Sequence, residues 1–224
     1  MIKFSATYLP TTLFSLKSSN ATNSGAKSLF LPSPYAIKMA ILNQAITIGG
    51  ELSNLEKKKS KEFVYIRDAQ IGYYLPKGIG FCTNNSFVKI LKPAREGEGF
   101  QQTVAFREYL HITKELEIIF GVESEDAKIY LGRFLHKISY FGKRGCFFQF
   151  IKYSDEPSES NVKPFDPDLN VFGLIEEHDD FDSSLTFEQV NNFSSKNTKR
   201  KKEILILPLE NISSSKSFSF YKLS

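Results

Sequence analysis

Ser33-Pro34-Tyr35-Ala36-Ile37-Lys38-Met39-Ala40-Ile41-Leu42-Asn43-Gln44-Ala45-Ile46-Thr47-Ile48-Gly49-Gly50 carries the strongest helix signal in the chain. Ser33 is suited to cap the helix, Pro34 to occupy its first position, and the two glycines to stop it. Between these signals only a narrow polar stripe interrupts the apolar residues, so the helix must lie against a sheet or between other elements. Upstream, Ile2 to Leu9 alternates around Phe4, Tyr8 and Leu9 and reads as a strand that ends at Pro10. The stretch from Lys17 to Ser28, rich in Ser, Asn and Thr, reads as an exposed, mobile connection between the two.

Downstream of a basic linker with Lys57, Lys58, Lys59 and Lys61, short strands are expected over Phe63 to Ile66, Ile71 to Leu75 and Phe87 to Leu91. Phe106 to Ile112 alternates, with Phe106, Glu108, Leu110 and Ile112 on one face and Arg107, Tyr109 and His111 on the other. Glu108 leaves open which face is buried. Leu116 to Val122 is a further strand, Asp126 to Ile138 has helical spacing and a stop at Gly142, and Cys146 to Ile151 is a Phe-rich strand. This order predicts an α+β fold: two βαβ-like halves of a ferredoxin-like (RRM-like) sheet with a β-rich elaboration, in one domain over residues 1–224. Residues 155–202 read as a surface insertion or flexible arm with a short helix near Phe187 to Asn191. Ile204 to Leu209 and Ser217 to Leu223 read as a closing pair of strands.

The chain has 224 residues, 41% of them apolar, enough for a substantial core without staples. Two cysteines, Cys82 and Cys146, are too few for a disulfide framework, and no run approaches the roughly 18 apolar residues of a membrane span. A cytoplasmic protein with no membrane partner is expected. Its formal charge of +4 is unevenly spread: Asp155 to Glu188 holds eleven acids against one base, which leaves 28 bases and 14 acids elsewhere. A basic body of this kind is the electrostatic footprint of a polyanion binder.

The three histidines, His111, His136 and His178, have no partners at metal-ligand spacing. Gly78-Ile79-Gly80 lacks the third glycine of a dinucleotide fingerprint, and no Walker lysine is present. Asp179-Asp180 sits in an acidic stretch better read as a solvated surface than as a two-metal site. No metal and no cofactor are therefore expected. The remaining chemistry is basic and aromatic. Lys143 and Arg144 lie in Phe141-Gly142-Lys143-Arg144-Gly145-Cys146, where glycines let the backbone approach a phosphate. Arg107, Tyr109 and His111 would form a stacking and phosphate-contact platform if they share an exposed face. Lys27 in the polar loop, with Tyr35 and Lys38 at the start of the helix, complete the candidate RNA-binding set. Lys199, Arg200, Lys201 and Lys202 form a basic run equally suited to protecting a strand edge.

The order of these segments carries a resemblance. Leu31 to Leu42 after a strand and a loose loop, Arg107-Glu108-Tyr109-Leu110, Phe141 to Phe147, Ile206-Leu207-Pro208-Leu209 and Phe218-Ser219-Phe220-Tyr221-Lys222 are together similar to the CRISPR-associated RAMP subunit of Cascade, the fifth Cas family. The resemblance covers roughly residues 1–150 and 203–223. It implies a ferredoxin-like RAMP core that grips the 5′ handle of the guide RNA (crRNA), touches the Cascade backbone and large subunits, and meets target DNA only indirectly. One branch of that family cuts precursor RNA with tyrosine, lysine and histidine. No such cluster is compelling here, so a non-catalytic role is expected. Two alternatives remain: a metal-independent endoribonuclease using His111, Tyr109 and a lysine, and a protein-interaction scaffold without RNA binding.

Overall fold

The computed structural model describes residues 1–21, 27–94, 96–168, 172–191, 196 and 198–223. In chain order the elements are β1 (Ile2–Pro10), α1 (Pro34–Thr47), α2 (Leu52–Leu55), α3 (Lys61–Arg67), β2 (Gln70–Tyr74), β3 (Gly80–Pro93), β4 (Phe100–Ile112) and β5 (Leu116–Val122). They continue with α4 (Glu125–Leu135), β6 (Phe148–Ser154), β7 (Lys163–Pro164), β8 (Leu174–Phe181), α5 (Phe187–Val190), β9 (Arg200–Leu207), β10 (Leu209–Ser214) and β11 (Phe218–Leu223). No helix among the described residues is long and apolar enough to cross a membrane.

The first sheet has the order β2-β5-β1-β6, with every neighbouring pair antiparallel. Two split βαβ halves, β1-α1-β2 and β5-α4-β6, thus interleave in the ferredoxin-like arrangement expected from the sequence. β1 is central and buried along Phe4 to Tyr8; the Tyr8 hydroxyl donates to the Leu135 carbonyl at the end of α4 at 2.8 Å. Burial pushes that phenol well above its ordinary pKa. On β2, Ser160 and Asn161 bond the backbone of Tyr73 and Leu75, occupying groups an edge strand would leave open.

α1 begins as its sequence dictates: the Ser33 hydroxyl accepts from the Ala36 N–H at 3.2 Å, with Pro34 in the first position. It is buried on more than one side: Ile37, Ile41 and Ala45 belong to the common core, β8, α3 and α4 pack against the helix, and Phe181 of β8 packs on Tyr35 and Phe63. α4 is capped in the same way by Ser124.

Four expectations are corrected. Phe63 to Ile66 is helical, inside α3, because Ser60 caps the Phe63 N–H at 3.0 Å and Phe63 and Ile66, one turn apart, are both buried. Phe87 to Leu91 belongs to the much longer β3, which pairs with β4 from Phe81↔Ile112 to Pro93↔Phe100. Ile204 to Leu207 does not pair with the terminal strand. It lies in β9, between β7 and β8, while β11 pairs with β10 and β3. The polar loop is tied down where it is described: Lys17 bridges to buried Ser28, and Ser19 and Asn20 bond to Asp179 and Glu177.

The largest correction concerns residues 155–202. Instead of a loose arm they contribute β7, β8, α5 and the start of β9, forming a third sheet of order β7-β9-β8. The acidic strand β8 and the basic start of β9 are cross-strand partners, with Asp179 opposite Lys202 and Asp180 opposite Lys201. Opposite charges facing each other across a ladder favour the pairing that like charges within either segment would oppose.

Candidate nucleic-acid interface

The loop between α4 and β6 is shaped by Gly142 and Gly145, at φ +69° and +100°, backbone conformations that side-chain-bearing residues rarely adopt. A Cβ at Gly142 would stand 2.8 Å from Leu16 Cδ1. The Cys146 N–H closes the turn onto the Lys143 carbonyl at 3.1 Å, leaving Lys143 and Arg144 exposed at its apex. Residues 11–16 anchor it from one side: the Thr12 hydroxyl donates to the Gly145 carbonyl at 2.7 Å and the Ser15 N–H lies 3.4 Å from Cys146 Sγ. On its other side the same strip extends β4, with Phe14 and Leu110 exchanging backbone hydrogen bonds. The glycine loop and the Arg107–His111 stretch are therefore flanks of one strip.

Beside the loop opens a groove of about 430 Å³ that brings together Lys143, Tyr35 and Arg200, with Lys17, Glu177 and Asp179. The Arg200 guanidinium stands 4.3 Å from the Tyr35 ring centroid and pairs with Asp179 at 2.8 Å. Ser33 and Ala36 also line it, so the positive end of the α1 dipole faces the same space. Cations, a cation-braced aromatic ring and a helix start in one concavity can hold phosphates and stack a base.

The second cluster lies on the outer face of the sheet β10-β11-β3-β4. Register places Phe220, Cys82 and His111 in one row and Phe218, Asn84 and Tyr109 in the next, followed by Ser86 and Arg107. His111 is exposed, Arg107 and Tyr109 are half-buried, and Glu108, Leu110 and Ile112 are the buried set, which settles the face that alternation left open. Glu108 is tolerated inside because it accepts the Ser28 N–H at 2.8 Å.

The structure thus brings Tyr35 and Lys143 together, sets Arg144 beside them, and places Arg107, Tyr109 and His111 on a neighbouring face. Lys27 is exposed but lines a different, acid-lined cavity with Glu108 and Glu176, across a wall that includes Ser18 and Leu29. Lys38 is the clear correction. It is 1% exposed, donates to the Arg67 carbonyl at 2.8 Å and pairs with Asp180 at 2.6 Å, so it cannot reach a ligand at the surface. Burial lowers the pKa of the Lys38 ammonium and raises that of the Asp180 carboxyl, each opposed by the partner's charge. The candidate set did not include Arg200, Phe218 or Phe220. Their signals were the basic run at the start of β9 and the alternation of Phe218-Ser219-Phe220. Among the described residues no group of three His, Cys, Asp or Glu side chains could hold a metal ion.

No family model matches the sequence. A curated protein, "CRISPR-associated protein Cas5" from Archaeoglobus fulgidus, is 26% identical over 194 residues, covering 82% of this chain and 81% of that protein. Among solved structures, a CRISPR protein from Archaeoglobus fulgidus aligns at 13% identity and a TM-score of 0.45, covering 100% of this chain and 92% of that one. A chain of a CRISPR RNA-guided surveillance complex aligns at 12% identity and a TM-score of 0.48, covering 91% and 88%. In class, what the chain is similar to is a CRISPR-associated protein. More particularly, the sequence similarity is to Cas5, at 26% identity.

Proposed function

We propose that the chain is a guide-RNA-binding subunit of a CRISPR effector complex, holding the 5′ handle of the guide without cutting it. The observation that carries this reading is the exposed Lys143-Arg144 turn opening onto the groove of Tyr35 and Arg200, on a ferredoxin-like core. Phosphates would lie against the loop cations, and bases would stack on the Tyr35–Arg200 pair and on the Tyr109, Phe218 and Phe220 face. The long β3–β4 hairpin leaves Phe87, Leu91, Phe100 and Val104 exposed on a two-stranded ribbon, and this apolar surface suits a neighbouring backbone or large subunit. The guide site itself would meet target DNA through those subunits, in the cytoplasm. The test is capture of handle RNA by the full chain and by Lys143→Glu with Arg144→Glu. Capture unchanged in that variant at near-physiological salt overturns the assignment of the loop.

A second reading, RNA cleavage, is favoured by one observation: exposed His111 shares a strand face with Tyr109. Incubation with repeat RNA in the presence of a chelator distinguishes it, because specific cleavage lost in His111→Ala would replace the binding role with an enzymatic one.

A further inference from the structure

The linker between α2 and α3 carries Lys57, Lys58, Lys59 and Lys61, and the proposed guide site uses none of them. All four are exposed. Their surroundings differ from those of the other basic run, at the start of β9. There Arg200 pairs with Asp179, Lys201 with Glu203, and Lys202 with Glu177 at 2.6 Å, so most of that run is neutralised within the chain. None of the four linker lysines has a carboxylate partner among the described residues; the Lys57 ammonium bonds only the neutral Asn54 side chain, at 2.7 Å. The fold supplies an acidic strand for one basic run and leaves the other open.

The open run is also concave. Lys57, Lys58 and Lys59 line a groove of about 430 Å³, joined from other elements by Arg67 and Lys196, over a floor that includes Leu55, Phe63 and Phe187. Glu56 and Glu188 are its acids; Lys196 pairs with Glu188 and Arg67 with Asp68, so the positive charge left facing the groove comes from Lys57, Lys58 and Lys59. Arg67 is held in place through Asp68 at 2.7 Å. The floor rings are buried, so they offer no face on which bases could stack. Chemistry of this kind recognises regularly spaced phosphates and not base identity. The two grooves share no lining residue, and Phe181 packs between Tyr35 of the one and Phe63 of the other.

From this arrangement we infer that the α2–α3 turn is a second, sequence-independent nucleic-acid site that takes a phosphodiester backbone other than the handle segment held at the glycine loop. The experiment compares the full chain with a variant in which Lys57, Lys58, Lys59 and Lys61 are all changed to Ala. Binding of a labelled mixed-sequence DNA duplex and a labelled mixed-sequence single-stranded RNA is followed across a salt series. At near-physiological salt the variant binds about tenfold more weakly, and its slope against log salt is shallower by about two to three units. Loss confined to duplex identifies DNA as the source of the backbone, and loss confined to single strands identifies RNA. Unchanged affinity and slope for both overturn the site. Handle capture, which depends on Lys143 and Arg144, stays unchanged, so failure here is separable from failure of the guide-binding reading. Circular dichroism checks the fold, and the smaller change Lys58→Ala with Lys59→Ala keeps the test decisive if the larger variant does not fold.

Discussion

Lys38 of α1 and Asp180 of β8 meet at 2.6 Å inside the molecule, with side chains 2% and 14% exposed. This contact clips the third sheet onto the ferredoxin-like core and turns a lysine expected at the RNA surface into a structural residue. Removing one partner leaves the other buried without its counter-charge. Lys38→Met and Asp180→Leu are each expected to cost about 3 kcal/mol, read as a lower denaturant midpoint, while the double change Lys38→Met with Asp180→Leu costs less than the sum. Additive losses would show that the pair does not act as a unit.

Gly142 and Gly145 make a graded test of the loop. Gly142→Ala meets both a positive φ and Leu16 Cδ1 at 2.8 Å, whereas Gly145→Ala meets a positive φ and open space. Each carries a conformational cost of about 1 kcal/mol. Gly142→Ala is the more destabilising in thermal unfolding and the weaker in handle-RNA affinity, and adding Leu16→Ala to Gly142→Ala removes that difference in affinity.

Neutralising the acids beside the groove should strengthen RNA binding. In Glu177→Gln with Asp179→Asn, Arg200 and Lys202 lose their internal partners and become available to phosphate, so fluorescence anisotropy should read several-fold tighter binding. The stability change is about 1 kcal/mol or less, because these pairs lie near solvent. Deleting residues 155–188 outright is not a neutral operation. It removes β8, whose Phe181 is 3% exposed and packs on Tyr35 and Phe63, so loss of folding is expected.

The apolar hairpin ribbon predicts the behaviour of the isolated chain. Phe87 and Phe100 are 74% and 73% exposed, so Phe87→Lys with Phe100→Lys should reduce aggregation in size-exclusion chromatography while leaving the melting temperature nearly unchanged. A large fall in melting temperature would show that the ribbon is instead part of the chain's own core.

Local signals were enough wherever a residue's conformational preference acts within a turn or two of itself. The Ser33 cap, the proline after it and the terminal glycines set α1; the glycines at 142 and 145 shaped the loop; alternation marked β1 and β4. The order of these elements was sufficient to reach the α+β architecture and the CRISPR-associated resemblance. Phe63-Val64-Tyr65-Ile66 failed as a local reading because β-branched and aromatic residues favour strands, while the Ser60 cap and burial of Phe63 and Ile66 favoured the helix. The fate of each charge was decided only in three dimensions. Whether Lys38 faces solvent depends on Asp180, far along the chain, and whether an acidic stretch is a loose arm depends on a basic strand pairing with it. Composition counts charges, but electrostatic energy depends on distance and burial, and both are set by tertiary structure.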